Sequence, residues 1–148
     1  MFFVLCVTAA IPAFSNDSIS SKLVRTFNNT FPDAENVTWH SAGGSSEAYF
    51  DRGGIKTHIW YDAQGQVTKT RRDYEEKDLC PFMRAKLAKK YGGKKIFGVT
   101  EINDENELYY VVVLEDANTW TTVRADAMGY MKVVDQFKKA GTEDSASH

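Results

Sequence analysis

Residues 19–39 read ISSKLVRTFNNTFPDAENVTW, and the fold follows from the way the apolar spacing changes within them. Ile19, Leu23, Phe27 and Phe31 recur every four residues with Val24 beside them, which predicts a helix. Asp17 or Ser18 is the expected N-cap, and Pro32 the expected stop. Beyond Pro32 the spacing shortens to that of strands, over residues 37–40, 48–51, 55–61 and 67–73. Gly43-Gly44, Gly53-Gly54 and the run 62–65 mark the turns between them.

The same order then returns. Met83, Leu87 and Tyr91 share the four-residue spacing, Pro81 occupies a favoured first helical position, and Gly92-Gly93 closes the far end. Strand-like runs follow at 97–102, 108–114, 119–125 and 130–135, with turns at 103–106 and 126–129. Tyr109-Tyr110 repeats Tyr49-Phe50 and Tyr91 repeats Phe31, each 60 residues later. Asp126-Ala127-x-Gly129 repeats Asp62-Ala63-x-Gly65, but 64 later, which places a four-residue insertion in the hairpin around 115–118. The expected fold is α+β: a tandem repeat of a helix followed by antiparallel β-strands, in units of about 18–74 and 79–135. One domain over 16–137 and a polar, disordered tail over 138–148 complete the division.

Alternation assigns the faces. In Ile55–Tyr61 the inward set is Ile55, Thr57, Ile59 and Tyr61, leaving Lys56, His58 and Trp60 on the opposite side. Shifted by 64, Thr119, Thr121, Val123 and Ala125 face in, while Trp120, Thr122 and Arg124 face out. One sheet face is expected to pack on the helices and the other to face away from them.

The run Phe31-Pro32-x-Ala34-x-Asn36-Val37-x-Trp39, followed by Tyr49, by Tyr61-Asp62-x-x-Gly65 and by Lys90-Tyr91-Gly92, resembles the PepSY-like, beta-lactamase-inhibitor-like (BLIP-like) exported proteins of Bacteroidetes. The likeness covers about residues 20–135 and departs at Leu79-Cys80-Pro81, where a Leu-Pro start to the second helix is more usual. It implies a curved antiparallel sheet with helices on one face, as in the beta-lactamase inhibitor protein. It names no target and supplies no catalytic residues.

Composition narrows the function classes. The 148 residues are 43% hydrophobic and 26% charged, which excludes a disordered chain. A net charge of −2 gives no electrostatic footprint for nucleic acid. Residues 1–15 carry no charge, and the apolar run 2–10 falls short of the ~20 residues a membrane span needs. That run suits a signal peptide, and the small residues Ala13 and Ser15 place cleavage before Asn16. The expected product is exported, periplasmic or secreted, with no stable membrane span. Its single thiol, Cys80, is expected to be a small buried residue at a helix start.

No motif carries catalysis. His40, His58 and His148 lack zinc spacing, and there is no G-x-S-x-G elbow. Glu75-Glu76 and Asp104-Glu105 lie in polar connectors. The two Asp-Ala-x-Gly runs lack the ligand series of a calcium loop, so each Asp is expected to bond its own turn. No catalytic residue, metal site or cofactor is expected. The basic run 86–95, with Arg84 before it, offers contact with anionic lipid or an acidic partner, but reads first as the solvated side of the second helix. The aromatics are the stronger signal. Trp39 reads as inward, whereas Trp60 and Trp120, with Lys56, His58 and Arg124, compose a candidate binding face on the outward side. The expected function is a non-enzymatic, inhibitor-like module that binds an envelope or secreted protein. The alternative is a small-molecule binder with a pocket between the two repeats.

Overall fold

The structure is a computed structural model describing residues 18–140; the expected leader, 1–15, and residues 141–148 of the expected tail lie outside the described residues. Its elements run α1 (Ser21–Thr30), β1 (Glu35–Ala42), β2 (Ser45–Arg52), β3 (Ile55–Tyr61) and β4 (Val67–Tyr74). A single 3-10 turn (Glu76–Asp78) leads to α2 (Pro81–Lys90), β5 (Lys95–Asp104), β6 (Leu108–Glu115), β7 (Thr119–Asp126) and β8 (Met131–Lys138). The strands form one antiparallel sheet in sequential order, β1 through β8. None of the described helices is long and apolar enough to cross a membrane.

The first helix starts later than its cap signals suggest. Val24 donates its N–H to the Ser20 carbonyl at 3.1 Å, so Ser20 rather than Asp17 or Ser18 precedes the first turn. Ile19 belongs to the apolar stripe, yet it packs on the core from outside the helix. At the other end Phe31 donates to the Phe27 carbonyl at 2.8 Å, and Pro32 then forces the chain toward β1.

Ladder register shows why two helices suffice to form the core. Ala48 opposes Ile59 and Phe50 opposes Thr57; Tyr74 opposes Val99; Val112 opposes Val99 and Val123. Directly opposed residues share a face, so the buried set from β2 to β7 lies on one side of the sheet. There it forms two clusters. Leu23 and Phe27 of α1 pack with Ala48, Phe50, Ile59 and Tyr61. Met83 and Leu87 of α2 pack with Tyr74, Leu79, Val99, Tyr110, Val112, Leu114, Val123 and Ala125. Phe27 is the hub of the first cluster, with ring centroids 5.2 Å from Phe31, 5.2 Å from Trp39 and 5.0 Å from Phe50.

Under the repeat expected from the sequence, register moves the insertion. Trp39 opposes Ala48 and Val99 opposes Val112, so β5 follows β1 by 60 residues while β6 follows β2 by 64. The extra residues therefore lengthen the β5–β6 hairpin, where Asn103 opposes Leu108 beyond the row of Ile102 and Tyr109. They do not lie at 115–118: Asp116 closes onto Thr119 across two residues, as Arg52 and Ile55 close across Gly53-Gly54. Two adjacent aromatics made a misleading anchor, because an even shift leaves every face unchanged. Two further expectations change. β8 runs through Lys138, and Lys139 donates its backbone N–H to the Asn118 carbonyl, so the sheet extends past 137. Cys80 is exposed, because Leu79 takes the buried position before Pro81.

Replacing Phe27 by Ala should lower stability by about 3–5 kcal/mol in urea unfolding, the usual cost of emptying a large aromatic site. A loss below about 1 kcal/mol would show that the neighbouring rings do not depend on it.

Candidate functional site

The face of the sheet opposite the helices carries the residues singled out by alternation. Lys56, His58 and Trp60 on β3, and Trp120 and Arg124 on β7, all point there, while Thr57, Ile59, Thr121, Val123 and Ala125 between them are buried. Trp39 sits half-buried on the inner side, 6.0 Å from the Tyr61 ring.

Three groups form on this face. On β2 to β4 the His58 ring stacks on Trp60 at 5.5 Å with 10° between planes, and lies 4.6 Å from Tyr49. Glu47 orients it through Nδ1 at 2.6 Å, and Lys69 places its Nζ 5.0 Å from the Trp60 ring. In the second group Arg124 lies over the Tyr109 ring at 4.0 Å and is held by Glu107. The third surrounds Trp120: Phe97 meets it edge-on at 4.8 Å, Lys139 lies 4.5 Å from its ring, and Phe137 opposes it across the ladder. Lys56 is exposed and opposes Asp73 in register.

The two tryptophans share a face but not a cluster. Trp60 lies in the row of Lys69 and Asp104, Trp120 in the row of Glu115 and Lys95. At usual spacings that is about 19 Å across the strands and roughly 26 Å along them. Simple alternation also conceals Phe97, which it would turn inward with Val99. The register shift between Ile96 and Gly98 leaves Ile96 packed on the core and frees Phe97 to reach Trp120.

The acidic residues of the turns serve the backbone. Asp62 Oδ1 accepts from the N–H groups of Gln64 and Gln66 at 2.9 and 2.8 Å, and Asp126 Oδ1 from those of Met128 and Tyr130 at 2.9 Å each. Among the described residues no three His, Cys, Asp or Glu side chains gather as a metal cage. On the inner side, a cleft of about 480 Å³ opens between Phe31, Phe50, Ile55, Ile59, Thr70 and Arg72.

Two ionisable groups lock the framework. The Lys94 ammonium, followed by the N–H groups of Asn118 and Thr119 and the Thr119 hydroxyl, holds the Asp116 carboxyl well below its ordinary value of 3.8. Burial, reinforced by a 2.7 Å hydrogen bond donated to Glu101, pushes the Tyr74 phenol far up. A depressed carboxylate stabilises the fold above its unfolded pKa, and that contribution disappears as pH falls through the folded value. Stability should therefore decline below about pH 4, and Asp116→Asn should make that decline shallower in urea unfolding between pH 7 and pH 2. An unchanged acid limb would remove Asp116 from the account.

No protein-family model matches the sequence, and no curated protein matches it either. Solved structures do. A BLIP-like protein from Bacteroides fragilis NCTC 9343 is 17% identical, with 90% of this chain and 94% of that one covered at a TM-score of 0.61. A DUF2874 family protein from Bacteroides uniformis ATCC 8492 is 19% identical over 85% of this chain and 94% of its own, at 0.57. A protein from Bacteroides eggerthii DSM 20697, provisionally described as periplasmic, is 15% identical over 82% and 89%, at 0.56. At these identities the likeness is one of architecture: this chain has the α+β fold of the BLIP-like and DUF2874 proteins of Bacteroides.

Proposed function

We propose that this chain is an exported, non-enzymatic binding protein whose outer sheet face engages a protein partner. The observation that carries the reading is the cluster of Tyr49, His58 and Trp60 rings on a face with no helix over it among the described residues. Solvated strands need no such stack, whereas Trp and Tyr are the side chains that anchor protein interfaces. The polar side chains beside the rings are engaged with one another, Glu47 with His58 and Glu107 with Arg124, rather than aimed at a common reacting point. Eight strands of about eight residues make a face of roughly 34 by 26 Å, or ~900 Å². One partner in a standard interface contributes ~800 Å², so a single protein would span both tryptophans.

Export rests on the uncharged leader with its small-residue cleavage signal, and on the fold shared with a provisionally periplasmic neighbour. We further infer that the two halves are copies of one unit. The matching Asp-Ala-x-Gly turns, each with the same Asp bonds and a glycine of positive φ, support it. Register shifts in the β1–β2 and β5–β6 pairs favour a bent sheet, the shape the BLIP resemblance implies.

The test is affinity capture from envelope extract by the tagged exported protein, beside a Trp60→Ala/Trp120→Ala variant. A stoichiometric partner should be retained by the parent and lost by the variant, whose stability should fall by no more than about 1 kcal/mol per ring. A large loss of stability with unchanged capture would assign the rings to fold support and sink the interface.

The inner cleft supports a second reading, a small-molecule site, although Phe31, Phe50, Ile59 and Arg72, like the rest of its lining, all belong to the first half and the cleft does not lie between the two repeats as expected. A ligand at 100 times its Kd should add ~2.7 kcal/mol to stability. No shift across lipids, sugars, haem and peptides would dismiss that reading.

A further inference from the structure

The helix side of the second half carries a surface that neither reading above uses. Phe82 on α2, with Met128 and Tyr130 in the β7–β8 turn, are 52%, 71% and 78% exposed. Met128 and Tyr130 flank Gly129, and the turn lies against the helix there: at Gly129 an added Cβ would come within 3.3 Å of the Phe82 ring and 3.2 Å of Lys86. Only a glycine there, at φ +82°, lets the turn lie so close to the helix. A cleft of about 630 Å³ opens beside them between Phe82, Ala85, Lys86, Lys89 and Met131.

The helix and the residues after it carry charge of one sign. Residues 81–100 hold Arg84, Lys86, Lys89, Lys90, Lys94 and Lys95 without a single Asp or Glu, in a chain whose net charge is −2. Lys94 is neutralised by Asp116, and Arg84 donates to the Lys77 and Leu79 carbonyls. Lys90 donates to the Met131 carbonyl at 2.6 Å, a neutral acceptor that leaves its charge uncompensated. Lys86 and Lys89 have no carboxylate partner among the described residues, and Lys86 instead lies 5.3 Å from the Phe82 ring. The carboxylate of the turn, Asp126, is occupied by the backbone N–H groups of Met128 and Tyr130.

The first half supplies an internal control. At the places of Phe82, Lys86, Lys89, Met128 and Tyr130 it carries Lys22, Thr26, Asn29, Gln64 and Gln66. The turn keeps the same Asp bonds and the same glycine, so the fold does not require the apolar and cationic side chains.

We propose that Phe82, Met128 and Tyr130, with Lys86, Lys89 and Lys90, form a docking surface for an anionic lipid membrane. Exposed aromatic and methionine side chains suit the boundary between headgroups and acyl chains, and lysines beside them suit lipid phosphate. Docking through α2 leaves the outer sheet face, on the far side of the sheet, open to a protein. The proposal therefore stands whether or not that face binds one.

The experiment is co-sedimentation of the exported protein with vesicles of phosphatidylglycerol and phosphatidylcholine, against vesicles of phosphatidylcholine alone. Each variant is prepared like the parent, and its thermal unfolding confirms the fold. The parent should pellet with the anionic vesicles, and less so as salt rises. Lys86→Gln/Lys89→Gln should weaken partition about 25-fold, at roughly fivefold per lysine. Phe82→Ser/Met128→Ser should weaken it about tenfold or more. Failure to pellet, equal pelleting with neutral vesicles, or wild-type partition by the folded lysine variant would each overturn the proposal. A thermal shift by monomeric laurate without vesicle binding would overturn it in favour of a single acyl chain in the cleft. Binding of polyglutamate without vesicle binding would reassign the surface to an acidic polypeptide.

Discussion

An eight-stranded sheet has two faces of equal area, and only two ten-residue helices are present among the described residues to cover them. Each such helix is about 15 Å long, so together they cover one face in part. Everything else depends on keeping the apolar side chains on that face from strand to strand. The ladders achieve it: Ala48, Ile59, Val99, Val112 and Val123 stay on one side although register shifts interrupt four of the seven pairings. Among the described residues the opposite face then has no helix over it, so its aromatic side chains are only partly covered, by their neighbours on the sheet, and take no part in the core.

Apolar periodicity makes much of this legible in the sequence. The period of four in Leu23, Phe27 and Phe31, and again in Met83, Leu87 and Tyr91, placed both helices. Ile55–Tyr61 matches its strand from end to end. What stayed hidden depends on pairing rather than pattern. The place of the extra hairpin residues is visible only in which residues oppose one another, because shifts by 60 and by 64 give the same faces. Phe97 escaped because a bulge breaks the period of two at that point. The distance between Trp60 and Trp120 escaped because alternation assigns a side of the sheet and not a place on it. Residue type alone predicts a buried Cys80, as small apolar residues commonly are, while the chain direction at Pro81 sends Leu79 inward instead.

The polar groups show a similar division of labour. Asp62, Asp104, Asp116 and Asp126 each accept two backbone N–H groups at a turn. These bonds fix hairpin geometry locally, independent of the core beneath. Glu47 and Glu107 instead pair with side chains that also stack on rings, so charge and aromatic surface are ordered together. A ring held by a neighbour before binding loses less entropy on contact than a free one. Pre-ordering of this kind has no evident use on a bare solvated surface, and it favours recognition at the Tyr49–His58–Trp60 group over the more open Lys56 position.

The turns also separate what folding requires from what it permits. In the β7–β8 turn the conformation is set by Asp126, by the positive φ of Gly129 and by the bonds to two backbone N–H groups. None of these involves the side chain of Met128 or Tyr130. The β3–β4 turn achieves the same geometry with Gln64 and Gln66. Stability therefore gives no reason for Met128 and Tyr130 to be apolar, and solubility gives a reason against it. The same holds for Phe82, which lies on the exposed side of α2 while Met83 and Leu87 supply the core. Three exposed apolar side chains that the described core does not use, beside cations without carboxylate partners among the described residues, are the combination that suits a surface both apolar and anionic.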